Sequence, residues 1–131
     1  MIPPFVKEIG HGAFSSCESL LEAELPEGLD IIEPRLFSGC AMLQRITIPS
    51  AATFIGHSAF KDCNQLGDVK MGDSLEKKCK CAFQNCSSLL HMTIPPKIRV
   101  ILDHTLANCA QLFKVNLPEE LVKIDHLAFF R

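Results

Sequence analysis

The chain has 131 residues, 13 of them basic and 15 acidic, and a net charge of −2. With 47% hydrophobic and 21% charged residues it has the composition of one globular domain, which excludes intrinsic disorder. The near-neutral charge balance excludes a global electrostatic footprint for nucleic acid or an anionic membrane.

The first eight residues, Met1 to Glu8, have neither the basic region nor the apolar run of a secretory signal. No apolar stretch approaches the roughly 20 residues that span a bilayer, so no membrane insertion is expected within this segment. Ile2-Pro3 reads as the tail of an incomplete first strand. From there the chain repeats. Phe14, Phe37, Phe60, Phe83, Leu106 and Phe129 stand 23 residues apart, and Cys17, Cys40, Cys63, Cys86 and Cys109 keep the same step. Leu20, Leu43, Leu66, Leu89 and Leu112 form a third column, and Ile9, Ile32, Ile55, Ile101 and Ile124 a fourth, broken only by Lys78. Pro3, Pro26, Pro49, Pro95 and Pro118 form a fifth, with Gly72 in its gap. A fixed period of this length is the signature of stacked repeats. The units run approximately 1–19, 20–42, 43–65, 66–88, 89–111 and 112–131, as one solenoid domain.

Within each unit the elements follow in a fixed order. The alternation in Ile46-Thr47-Ile48 predicts a strand, which Pro49 ends because it cannot donate to a ladder. Thr53-Phe54-Ile55 predicts a second short extended segment. Gly56 turns the chain, and Ser58 to Cys63 is expected to form a short 3₁₀ or helical turn. Twenty-three residues are too few for a βαβ unit with a full helix but enough for one coil of a solenoid. About five and a half coils at about 4.8 Å would make a rod roughly 25 Å long. The expected core columns are those of Leu20, Ala23, Leu25, Leu29, Ile32, Leu36, Phe37 and Cys40.

The unit Leu-x-x-Ile-x-Ile-Pro … Ile-Gly-x-x-Ala-Phe-x-x-Cys, clearest in Leu43 to Cys63, resembles the BspA-like leucine-rich repeat family across essentially the whole chain. The resemblance implies a β-rich, right-handed curved solenoid with a parallel sheet on its concave side. It also implies a surface protein that attaches to other proteins, and it does not imply an enzyme. The fourth unit departs from the pattern: Gly72 replaces Pro, Lys78 replaces Ile and Cys79 replaces Gly. The fifth has Thr105-Leu106 in place of Ala-Phe. Both ends fall inside a repeat without the polar caps that solenoids need. A segment of a longer array, or end-to-end association through the uncapped ends, is therefore expected.

Two polar columns flank the first strand. One is Glu22, Arg45, Asp68, His91 and Lys114; the other is Glu24, Thr47, Lys70, Thr93 and Asn116. Both should face outward from the concave sheet, as a solvated face or as a surface for a protein partner. The absence of Trp and Tyr lowers the odds of carbohydrate stacking or a single-stranded nucleic-acid platform. The five columnar cysteines read as small buried hydrophobes. Cys79 and Cys81 stand outside that column, and with Lys77, Lys78 and Lys80 read as an irregular exposed loop. Cys81 stacks over His104, a pairing that could serve a thiol enzyme or redox sensor but lacks a second His and any sign of an oxyanion hole. His11 and His57 are two coils apart, roughly 10 Å, which is too far to share a metal directly. Lys80, Asp103 and His126 read as a surface charge ladder.

No phosphate loop or catalytic motif is present, and neither a metal nor a cofactor is expected. The expected function is a non-catalytic protein-binding or adhesion module. The alternatives are a structural spacer and the Cys81–His104 thiol site. The family resemblance favours the cell surface or an extracellular setting; the missing signal and the odd cysteine count favour the cytoplasm.

Overall fold

A computed structural model describes residues 2–78 and 80–131. Each repeat from the second onward contributes two short strands. They are β1 (Glu22–Glu24), β2 (Ile31–Ile32), β3 (Arg45–Thr47), β4 (Phe54–Ile55), β5 (Asp68–Lys70), β6 (Lys77–Lys78), β7 (His91–Thr93), β8 (Val100–Ile101), β9 (Lys114–Asn116) and β10 (Lys123–Ile124). All pairings are parallel and join residues 23 apart, for example Ile46 with Val69 and Ile32 with Ile55. The odd-numbered strands build one layer and the even-numbered strands the other.

The period that sets the register also sets the core. In β3, Ile46 points inward and is 2% exposed, while Arg45 and Thr47 point outward. Phe14, Phe37, Phe60 and Phe83 stack face to face inside the solenoid, with ring centroids 5.2–5.6 Å apart. Leu29, Ile32, Leu36, Phe37 and Cys40 are buried as expected, whereas Leu20, Ala23 and Leu25 of the same unit are only half-buried. The physical reason is that the preceding residues, 2–19, contribute a turn segment and no strand to cover them.

Two expectations are corrected. From β1 to β9 the chain makes four turns, fewer than the coils expected, because the first unit adds no strand pair. The segments expected to be 3₁₀ or helical are neither, and no described segment is helical. Their amides alternate instead. Ala59, Lys61 and Cys63 donate to the carbonyls of Gly56, Ser58 and Phe60 within the coil, while Ser58, Phe60 and Asp62 donate to Lys80, Ala82 and Gln84 of the next.

This alternation depends on residues with left-handed backbone, which a 3₁₀ run cannot contain. Gly12, Arg35, Ser58, Cys81, His104 and Leu127 form one such column, with φ between 56° and 61°. Ser16, Gly39, Asp62, Asn85 and Asn108 form the other, with φ between 58° and 78°. The second column is filled mostly by the residue types that tolerate this region best.

Among the units that carry strands, one junction differs from the rest. Among the described residues both layers are interrupted between the unit of residues 66–88 and the unit of residues 89–111: β5 does not pair with β7, nor β6 with β8. The turn side stays closed there, with Cys81, Phe83 and Asn85 donating to the carbonyls of Asp103, Thr105 and Ala107 at 3.2, 2.9 and 2.9 Å. The interruption follows the unit in which Gly72, Lys78 and Cys79 break the repeat. In the next unit Thr105 occupies a buried alanine position, and its hydroxyl donates to the Leu102 carbonyl at 2.7 Å.

Candidate binding surface

All ten polar residues singled out on the first strands are exposed: Glu22, Glu24, Arg45, Thr47, Asp68, Lys70, His91, Thr93, Lys114 and Asn116. Strand alternation places them there, since their central neighbours Ala23, Ile46, Val69, Met92 and Val115 pack inward. The structure brings them together as two groups rather than one. Six lie on the β1–β3–β5 sheet and four on the β7–β9 sheet, across the interrupted junction.

Contacts within each group follow the repeat. Arg45 Nε lies 3.4 Å from Glu22 Oε1, and both side chains are more than half exposed, so the pair contributes little to stability. Asn116 Nδ2 donates to Thr93 Oγ1 at 3.2 Å. Glu22, Glu24, Arg45 and Thr47 line a hollow of about 580 Å³ together with Ile2, Pro4 and the adjoining Leu25. The surface is thus polar, of mixed sign and regularly spaced within each sheet, with a recess of mixed polar and apolar lining beside β1 and β3.

The columnar cysteines are buried from Cys40 onward, and each thiol donates to a phenylalanine carbonyl of the preceding coil. Burial raises the thiol pKa of Cys40, Cys63, Cys86 and Cys109 above the ordinary value. For Cys109 it reaches about 11. These thiols are packed groups rather than nucleophiles.

The region expected to be an exposed loop is more ordered than that. Lys77 and Lys78 form β6 and pair with Phe54 and Ile55, because the parallel register carries through even where the side-chain pattern fails. Cys79 lies outside the described residues. Cys81 is half-buried, and its amide donates to Asp103. Its thiol pKa is raised by burial, the opposite of what an activated thiolate needs, with Lys61 lowering it less. His104 Nδ1 lies 2.9 Å from Asp103 Oδ1 in the same turn. No group of three or more metal-ligating side chains is found among the described residues.

His11 and His57 are closer than sequence spacing indicates. Their ring centroids are 6.3 Å apart, with the planes at 77°. The coil-to-coil distance fixes only the backbone. The side chains lean toward each other past Pro34, the residue of the same column on the coil between them. Periodic reasoning misses this because it treats every column position as projecting straight out.

Three solved structures share this architecture. A leucine rich repeat protein of Treponema pallidum superimposes with a TM-score of 0.78 at 25% identity, over 91% of this chain and 67% of its own length. A leucine rich cell surface protein of Faecalibacterium prausnitzii A2-165 gives 0.87 at 30% identity, over 95% of this chain and 34% of its own. A leucine-rich repeat protein of Bacteroides ovatus gives 0.72 at 30% identity, over 95% and 38%. The chain therefore spans about a third of the length of the last two. No curated protein sequence matches it. The sequence profile of the BspA type leucine rich repeat region matches residues 7–131 in six copies. With the 23-residue register and the stacked parallel layers, that match makes the chain a member of the BspA-type leucine-rich repeat family.

Proposed function

We propose that the chain is a non-catalytic module that binds a protein partner through the face of its first strand layer. The observation that carries this reading is the pair of polar ladders, whose exposed side chains are held at strand pitch as a group of six on one sheet and a group of four on the next. Ordering such side chains on a preformed scaffold lowers the entropy cost of association. Solenoids bind on extended surfaces of this kind. Binding energy would come from many modest polar contacts, with the recess beside Ile2 and Pro4 accepting an apolar side chain. The cell-surface description of the Faecalibacterium prausnitzii protein supports a surface location for this chain too. The raised pKa of Cys81 speaks against the thiol-enzyme alternative.

Site-specific photo-crosslinking tests the reading whatever the identity of the partner. A photoreactive residue at position 68, on the strand face, should capture a protein in the native setting. The same residue at position 61, on the turn side, should not. Capture from position 61 alone would place the interface elsewhere. No capture from either position would favour a spacer.

A further inference from the structure

We propose that His11 and His57 form a two-imidazole site for a first-row divalent metal ion, with water completing the coordination shell. The site lies at the corner after the second strand layer and is independent of the strand-face reading above.

Three observations carry it. The first is proximity: the ring centroids lie 6.3 Å apart. Two imidazoles that share one ion at about 2.0–2.1 Å per nitrogen have centroids no more than about 6.4 Å apart. That ceiling belongs to ligands on opposite sides of the ion, and ligands at tetrahedral or right angles need about 4.5–5.2 Å. Sharing one ion therefore requires one ring to turn out of its 77° edge contact. It also requires the two to close by about 1 Å or to face each other across the ion.

The second is backbone rigidity. Gly12, next to His11, donates its amide to the Pro34 carbonyl at 3.1 Å, and Arg35 donates to the His57 carbonyl at 3.0 Å. A Cβ at Gly56, adjacent to His57, would overlap the Pro34 nitrogen, so the two coils meet backbone to backbone there. Both histidines are thus held from the coil between them.

The third is the nature of residue 34. Proline keeps its short ring close to the backbone, so no long side chain projects from the coil between the two histidines. The later positions of this column are Lys80, Asp103 and His126, so the arrangement is not repeated along the stack. Both histidines are exposed, which leaves the remaining coordination positions to water. Imidazole nitrogen suits Zn²⁺, Cu²⁺ and Ni²⁺.

Nickel is the probe of choice because its paramagnetism reports each histidine separately by NMR of the whole chain. Substoichiometric Ni²⁺ should broaden the ring signals of His11 and His57 together, before those of His91, His104 and His126. In H11A, broadening of His57 should need roughly tenfold more Ni²⁺ or more, because the second ligand no longer binds intramolecularly. H57Q should have the same effect on His11. An unchanged backbone amide spectrum checks the fold of each variant. If His57 responds at the same Ni²⁺ concentration in H11A as in the wild type, the two rings act independently and the site does not exist. If another histidine responds first, the ion belongs elsewhere and the proposal falls.

Discussion

Asn108 donates its side-chain amide to Asn85 Oδ1 at 3.0 Å, one coil away, and both residues have left-handed backbone. Asn85 in turn donates to Asp62 Oδ1, so the turn side carries a side-chain ladder on top of its backbone ladder. Asn85→Gly keeps the backbone geometry and loses these bonds, which should cost about 1 kcal/mol. Asn85→Ala should cost about 1–2 kcal/mol more, the penalty of a left-handed residue with a Cβ and no local polar compensation. Urea denaturation of the pair separates the two effects. Equal costs would mean that the left-handed backbone carries no penalty here.

The Phe stack predicts a contrast between two substitutions of the same type. Phe60 is fully buried between Phe37 and Phe83, and Phe60→Ala should lose about 3–5 kcal/mol by opening a cavity. Phe113 is 75% exposed, and Phe113→Ala should change stability by no more than about 0.5 kcal/mol. Thermal and denaturant midpoints of the two variants give the comparison.

The buried thiols set an alkaline limit. Cys63, Cys86 and Cys109 have folded-state pKa values above their ordinary value of 9.0. Below about pH 9 both folded and unfolded chains hold these protons, and the thiols give no pH dependence. Above it the unfolded chain releases them first, so stability should fall as pH rises, from about 9 through about 11 for Cys109 and further for the other two. Denaturant midpoints between pH 8 and pH 11 check the slope. In the native state at pH 8 a thiol reagent should label Cys81 and Cys17, both half-buried, well before Cys40, Cys63 and Cys86.

At regular junctions the strand amides are paired: Gln44 donates to the Leu21 carbonyl at 2.9 Å and Glu76 to the Thr53 carbonyl at 2.9 Å. The equivalent amides at the interrupted junction, Leu90 and Arg99, have no backbone acceptor among the described residues. Native-state hydrogen exchange should find Leu90 and Arg99 exchanging far faster than Gln44 and Glu76. Comparable protection at all four would mean that the layers are continuous.

The fold is readable in the sequence wherever one residue type recurs at one column. Phe37, Cys40, Leu43 and Ile55 sit in the core because each column must be apolar to stack on its neighbours. The polar faces of β1, β3, β5, β7 and β9 follow from strand alternation. The turns are not readable in the same way, because Arg35, Ser58 and Leu127 give no hint of a left-handed backbone; the alternating hydrogen bonds impose it. The His11–His57 contact depends on how side chains lean across Pro34, which spacing does not encode. The break between β5 and β7 is only partly foreshadowed, by Gly72 and Lys78 at positions otherwise held by Pro and Ile.

That break also changes how the stack holds together as a linear chain of coupled repeats. In such a chain, total stability is approximately a sum of repeat terms and nearest-neighbour interface terms. The interface after Ser88 keeps its turn ladder and its thiol-to-carbonyl bond from Cys109 to Phe83, but has lost strand pairing in both layers. Among the junctions between strand-bearing units it is the weak link. Under denaturant or mechanical load the protein should separate into two cooperative blocks, one with three strands in each layer and one with two. The two polar groups of the strand face would then ride on separate blocks, and a partner that spans both would act as a splint across the joint.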